Sequence, residues 1–259
     1  MVVAEQNTQD IIALLDELAA NAWPAPFQQQ VEGWRLRAAG GLTRRASSVY
    51  TAGPMPRYSD WLQEVQGFYQ RRALPVRFQI SDASPAELGL LLDGLGYSRE
   101  APTEVHTASA ATVASRSALM EGPPVFATSH PEERWLEAFL RVEGHNPALG
   151  DMYGRIMSAI GPVARFATVR LKEEIVGVGM AVTERGWTGL FNMATVPHMR
   201  GQGVATSIIA DLTGWGVQQG AAHLYLQVMT SNEVAKRLYA KLGFSYLYSY
   251  HYRTEPGSG

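Results

Sequence analysis

Thr195-Val196-Pro197-His198-Met199-Arg200-Gly201-Gln202-Gly203-Val204-Ala205-Thr206 joins an apolar strand to an amphipathic helix that carries Val204, Ile208, Leu212 and Trp215 on one face. The two glycines let the backbone turn tightly and approach a ligand. The helix start offers unpaired N–H groups and the positive end of a dipole. Together these read as an anion site suited to a pyrophosphate. Two other phosphate loops do not fit. A P-loop needs Gly-Lys-Ser/Thr, which the chain lacks. A dinucleotide fingerprint needs a third small residue and an acid at the end of the next strand. Here the third position is Thr206, and Leu224-Tyr225-Leu226-Gln227-Val228 has no acid.

Working outward, the spacing predicts strands at about 163–171, 174–183 and 187–196, turning at Lys172-Glu173 and Arg185-Gly186. A helix (202–219), a strand (221–229), a helix (232–242) and a last strand (244–252) follow. Upstream, Ser129-His130-Pro131-Glu132 reads as a capping box opening a helix through Trp135, Phe139 and Leu140, with a short helix near 148–160. The first half has a similar order. Helical spacing of Ile11, Leu14, Leu15 and Leu18 precedes an alternating strand at Trp34, Leu36 and Ala38, then a return strand from Thr43 to Thr51. A helix over Trp61–Tyr69, a strand at Val76–Ile80, and a helix from a second capping box (Ser84-Pro85-Ala86-Glu87) ending at Gly96 complete it before a final strand. An antiparallel meander followed by alternating strands and helices predicts a mixed α/β sheet.

Composition bounds the function. Apolar residues form 46% and charged residues 18% of 259, which excludes a disordered chain. A net charge of −2 carries no footprint for nucleic acid or an anionic membrane. The absence of cysteine excludes disulfides, thiolate metal sites and a catalytic thiol. No apolar run reaches the ~20 residues of a membrane span. The polar start, Met1 to Asp10, is unlike a signal peptide, so a cytoplasmic protein is expected. Residues 1–105 hold nine Arg and no Lys, whereas both occur later. The small, polar stretch 106–122 therefore reads as a linker between 1–105 and 123–259.

The helix Ser231-Asn232-Glu233-Val234-Ala235-Lys236-Arg237-Leu238-Tyr239-Ala240-Lys241-Leu242-Gly243-Phe244 adds a second motif. Asn232 and Tyr239 lie about two turns apart on nearly one face. The glycine loop, this Asn-x-x-Ala-x-x-Leu-Tyr-x-x-Leu-Gly-Phe pattern and their separation resemble the GNAT superfamily of acyl-CoA-dependent N-acyltransferases over about 190–246. Element order extends the resemblance to about 123–253. The first half resembles a degenerate copy, so the chain resembles tandem-GNAT proteins whose second module is intact.

The resemblance implies acetyl-CoA as co-substrate, no metal, and acetyl transfer to a primary amine by direct attack. A non-catalytic acyl-CoA-binding module is the alternative. It implies that the backbone of Ala194, Thr195 and Val196 meets the pantetheine, with Ala194 and Val196 bonding it. Arg200, Gly201, Gln202, Gly203, Val204, Ala205 and Thr206 would cradle the pyrophosphate, and Asn232 would touch the pantetheine. Tyr239 would protonate the departing thiolate, against the plainer reading of a core aromatic. The family often has Gln or Arg three residues before the first glycine, where this chain has His198. Some branches have a basic Glu where this chain has Gln227, so no general base is identified. Glu143 and His145, in the loop where the family builds its acceptor pocket, are candidates to bind or deprotonate the amine, or form a solvated loop. Gln227, with His223 and Tyr225 on its strand face, is a further acceptor-side candidate. Tyr246, Tyr248, Tyr250 and Tyr252 share a strand face and either wall a pocket or pack. Arg44 and Arg45 read as structural. A small-molecule amine is favoured over a protein acceptor, and a homodimer is admissible.

Overall fold

The computed structural model describes residues 2–257. Contacts divide the chain into two units, Met1–Glu104 with Tyr248–Gly259, and Val105–Leu247. The first unit contains α1 (Val2–Ala22), β1 (Phe27–Val31), β2 (Trp34–Ala38), β3 (Val49–Tyr50), α2 (Trp61–Gln70), β4 (Arg77–Ile80) and α3 (Ala86–Gly94). The strand β5 (Ser98–Ser109) crosses into the second unit. There follow α4 (Ala110–Ser117), β6 (Val125–Thr128), α5 (Glu133–Glu143), α6 (Gly150–Ser158), β7 (Val163–Leu171), β8 (Glu174–Glu184), β9 (Trp187–Thr195), α7 (Val204–Gln218), β10 (His223–Met229) and α8 (Glu233–Leu242). The last strand, β11 (Ser245–Thr254), crosses back at Leu247/Tyr248.

In the first unit the strand order is β1-β2-β3-β4-β11. The alternation of Trp34, Leu36 and Ala38 packs one face of β2. Trp34, Trp61 and Phe78 meet edge to face at centroid distances of 5.3 and 6.3 Å. The other face is polar yet buried. Arg37, 2% exposed, gives Nε to the Ser48 carbonyl and Nη2 to Ser48 Oγ and Gln79 Oε1. Asp16 of α1 accepts from Ser81 Oγ (2.5 Å) and Tyr248 OH (2.6 Å). Arg44 and Arg77 both pair with Glu100, which agrees with a structural Arg44.

In the second unit the order is β10-β9-β8-β7-β6, with β7, β8 and β9 an antiparallel meander and β10 parallel to β9. Its α7 lies close on β8 and β9, where Ile208, Ile209 and Leu212 are fully buried. Each such side chain contributes roughly 1.5–3 kcal/mol relative to exposure.

Five readings change. The stretch 106–122 is the end of β5 plus α4, a helix of small residues capped by Ser109, which accepts from the Thr112 N–H. The second unit accordingly begins at Val105 rather than residue 123, and β11 returns its Tyr248–Thr254 part to the first unit, paired with β4. The return strand from Thr43 shrinks to Val49–Tyr50. Neither capping box forms: α3 follows Pro85 and α5 follows Glu132, with no side-chain cap. Ser84 instead bonds Thr51 Oγ1 and the Ser81 N–H. Pro85 is itself extended and takes the N-cap position of α3, and Glu132, the residue after Pro131, is extended and takes that of α5, so each helix starts past its serine. Among the described residues no helix is long and apolar enough to cross a membrane.

Burial raises the Asp16 carboxyl to about 6, against hydrogen bonds from Ser81 and Tyr248 that lower it. An aspartate raised in the fold binds its proton before the unfolded chain does. Stability from this group is therefore gained as pH falls from about 6 to about 4, by up to about 3 kcal/mol. Thermal unfolding of wild type and Asp16→Asn between pH 7 and 4 checks this: their difference moves in favour of wild type as pH drops.

Candidate active site

The site begins with two strands that part. β9 and β10 pair in parallel from Trp187/His223 to Leu190/Leu226, where the ladder ends. β9 continues to Thr195 bonded to β8 alone. On the β8 side Met180 faces Phe191 and Val178 faces Ala194, so Asn192 and Met193 oppose the single residue Gly179 in a bulge. Asn192 adopts φ +52°, and its Nδ2 lies 3.2 Å from the Met180 sulfur. A wedge thus opens beside the second half of β9.

Ladder alternation decides which amides face the wedge. The Val196 N–H donates to the Val176 carbonyl at 3.0 Å. That amide is engaged with β8, and by alternation so is that of Ala194, opposite Val178. The expectation that Ala194 and Val196 bond a pantetheine is corrected: the residue whose backbone points away from β8 is Thr195, opposite Gly177.

Next comes the turn. A 3-10 segment, Pro197–Met199, leads to Gly201 at φ +76° and Gly203 at φ +78°, and Gly203 is the N-cap of α7. The Gly203 carbonyl accepts the first helical bond, from Ser207 (2.9 Å). The N–H groups of Val204, Ala205 and Thr206 fall in the first turn, where a helix supplies no carbonyl. Gln202 Nε2 holds the His198 carbonyl at 3.0 Å. Gly203 is the cap glycine, and Arg200 stands three residues before it. Residues Glu121 and Gly122 cross the turn: a Cβ on Gly203 would stand 2.8 Å from the Glu121 carbonyl oxygen, and one on Gly122 2.1 Å from Ser207 Oγ. The sequence signals this contact only by a glycine before two prolines.

The other candidates separate. Tyr239, on α8, is buried and packs edge to face on Phe244 at 5.9 Å. Among the described residues its hydroxyl makes no hydrogen bond. Burial first, then the charge of Glu143, push the phenol up to about 12. Glu143, the last residue of α5, is thus electrostatically coupled to Tyr239. His145 is not brought to it: its ring stacks on Tyr153 at 5.1 Å and leans on Phe139 at 5.4 Å. Asn232 is the N-cap of α8, its Oδ1 accepting from the Ala235 N–H, which leaves Nδ2 for other use. Gln227 lies on β10 just past the end of its pairing, and its Oε1 is buried without a partner. Tyr225 packs against Phe191, and His223 stacks on Trp187. Tyr246 is exposed, whereas Tyr248, Tyr250 and Tyr252 are buried. Among the described residues no group of three or more acidic or histidine side chains is arranged for a metal ion.

A splayed parallel pair beside a glycine-capped helix start defines the acyltransferase fold of GNAT type. Solved structures agree in fold. A GCN5-related N-acetyltransferase from Kribbella flavida superposes with TM-score 0.63 over 95% of both chains at 14% identity. A tandem GNAT protein from the clavulanic acid biosynthesis pathway does so with TM-score 0.63 over 92% of this chain and 86% of its own, at 11% identity. In sequence, YobR of Bacillus subtilis (strain 168), named an uncharacterized N-acetyltransferase, is 35% identical over 244 residues, 94% of this chain and 98% of its own. Residues 8–253 match the family described as probable histone acetyltransferase Rv0428c C-terminal. The chain belongs to this family and is a GNAT-type acetyltransferase.

The two glycines of the turn differ in a testable way. Gly201 has open space where a Cβ would go, so Gly201→Ala costs only the left-handed conformation, about 1–2 kcal/mol. Gly203→Ala adds the collision with Glu121. Thermal unfolding is expected to show the larger loss for Gly203→Ala.

Proposed function

We propose that the chain carries an acetyl group from acetyl-CoA to a primary amine by direct attack, within its second unit. The observation that carries this reading is the end of the β9–β10 ladder at Leu190/Leu226, next to the helix start at Gly203. The wedge gives Thr195 backbone groups to an amide-bearing arm, and the first-turn N–H groups of α7 suit a pyrophosphate. Arg200 and Gln202 flank that anion. In an antiparallel-like match, an amide chain replaces the strand partner that β9 lacks.

The roles of the side chains follow from their surroundings. A phenol at about 12 is fully protonated at neutral pH, as a donor to the leaving sulfur must be. Its proton affinity exceeds that of a thiol, ~8.5. Tyr239 therefore stabilises the developing thiolate mainly by hydrogen bonding, and the proton follows as the new amide loses one. Glu143 supplies a carboxylate for the incoming ammonium and, through water, a proton acceptor. One carboxylate for one ammonium suits a small amine.

The first unit is taken as a module without a cofactor. The loop after its β3, Thr51 to Ser59, has one glycine, and Pro54 and Pro56 lack the N–H groups a cradle needs.

Calorimetric titration is expected to give one acetyl-CoA per chain and no NADH binding. A stoichiometry near two would overturn the reading of the first unit, and tight NADH binding that of the cofactor. Tyr239→Phe is expected to lower turnover by about 10²-fold with little change in thermal midpoint, since no hydrogen bond is lost within the protein. Unchanged turnover would leave Tyr239 a packing residue. Glu143→Gln is expected to lower kcat/KM for the amine about tenfold or more while acetyl-CoA affinity holds.

A further inference from the structure

At the β6 edge of the second unit's sheet, three strands from β9, lies a cavity of about 410 Å³. Phe126, Thr168 and Arg170 line it from β6 and β7, Trp135 and Glu132 from the start of α5, and Ile175 from β8. Arg170 is the group that the acetyltransferase chemistry leaves unexplained. Its guanidinium stands over the Phe126 ring at 5.0 Å. Its Nε is buried with no hydrogen-bond partner, and among the described residues it has no ion pair. A buried donor without an acceptor is rare in folded chains and marks a place for a ligand or water.

The sheet is bent where this arginine sits. Val169 of β7 faces Gly177 of β8, but Arg170 faces Ile175, so Val176 is the extra residue of a bulge. Bulges re-aim the side chains beside them. The cavity therefore combines a planar, unpaired cation with apolar walls from Phe126, Trp135 and Ile175.

We propose that this cavity binds a small carboxylate with a branched apolar body, its carboxylate on Arg170 and its body against those three side chains. The guanidinium fork matches a carboxylate in two parallel hydrogen bonds. Glu132 borders the same cavity without pairing with Arg170, so the carboxylate belongs either to a simple acid or to an α-amino acid whose ammonium meets Glu132. The site is separate from the wedge, and the proposal does not rest on the acetyl-transfer reading.

The test uses the full chain and three probes of one shape: 4-methylpentanoate, its amide 4-methylpentanamide, and leucine. Calorimetry is expected to show saturable binding of at least one of the two carboxylates and none of the amide. Tighter binding of leucine assigns the amino acid as source, and tighter binding of 4-methylpentanoate the simple acid. Arg170→Gln is expected to weaken binding at least tenfold while acetyl-CoA binding and the thermal midpoint hold. Should that variant not fold, Arg170→Lys, which keeps the charge but not the fork, is expected to weaken it too. The proposal is overturned by no binding of any probe at ~10 mM, generous for ligands of this size. Amide binding as tight as the acid's, or undiminished affinity in the folded Arg170 variant, overturns it equally.

Discussion

The close seating of α7 on β8 is the constraint on which the second unit depends. A Cβ on Gly177 would fall 2.3 Å from Val204 Cγ1, one on Gly179 2.6 Å from Ile208 Cγ2, and one on Gly216 2.3 Å from Thr188 Oγ1. Side chains at these three places would lift the helix off the sheet. Gly179 also faces the bulge of β9, where its Cβ would stand 2.5 Å from the Met193 sulfur. The same bare stretch of β8 therefore admits both the helix and the bulged strand. It brings the N-terminus of α7 down beside the end of β9, next to the wedge. Burial of Ile208, Ile209 and Leu212 supplies the apolar free energy that holds this approach.

The wedge is a local departure from the rule that backbone groups are paired. Past Leu190 the outer edge of β9 has no strand beside it. The fold tolerates this because the inner edge stays bonded to β8 through the Val196 N–H and the pairs before it. Next to the wedge the protein keeps polar atoms in reserve: the Gln227 carbonyl oxygen has no partner, and the Tyr239 hydroxyl donates to none. The buried Gln227 oxygen costs stability in the free protein, which a partner for it would restore.

Much of this fold was legible in the sequence from residue 163 onward. There the apolar periods switch cleanly from two to 3.6, and Lys172, Arg185 and Gly186 take the positive φ that tight turns need. The rest was hidden for particular reasons. Phe27–Val31 carries three glutamines on an edge strand with little to bury, so it has no apolar alternation. Ala110–Ser117 is built of small residues that resemble a linker, yet alanine favours helix, and Ala110, Val113 and Ser117 form its buried face. Ser84 and Ser129 have the composition of helix caps, but the extended residue before each helix is Pro85 in the first case and Glu132, after Pro131, in the second. The crossing of the chain back to the first unit at Tyr248 follows from pairing of β11 with β4, a contact of 170 or so residues' separation that no local pattern encodes.

The site divides along the same physical line. Cofactor contacts of this kind run through backbone, so they depend on glycine, on positive φ and on a helix start, and all three leave marks in the sequence around Gly201 and Gly203. Even so, the register of β9 against β8 decides which amides face outward, and a shift of one residue moved the assignment from Ala194 and Val196 to Thr195. The acceptor-side candidates Glu143 and His145 sit at the end of α5 and in the loop after it, where composition alone does not fix direction. Glu143 and His145 are two residues apart, yet the left-handed cap at Gly144 (φ +71°) turns the chain between them. The histidine ring is drawn into the aromatic packing of Phe139 and Tyr153, whereas the carboxylate stays within electrostatic reach of Tyr239. The half-buried histidine ring stacks on its aromatic neighbours, and the exposed Glu143 carboxylate keeps its water, because a charge loses more than a neutral ring when it is buried. The residue left beside Tyr239 is selected by desolvation as much as by chemistry.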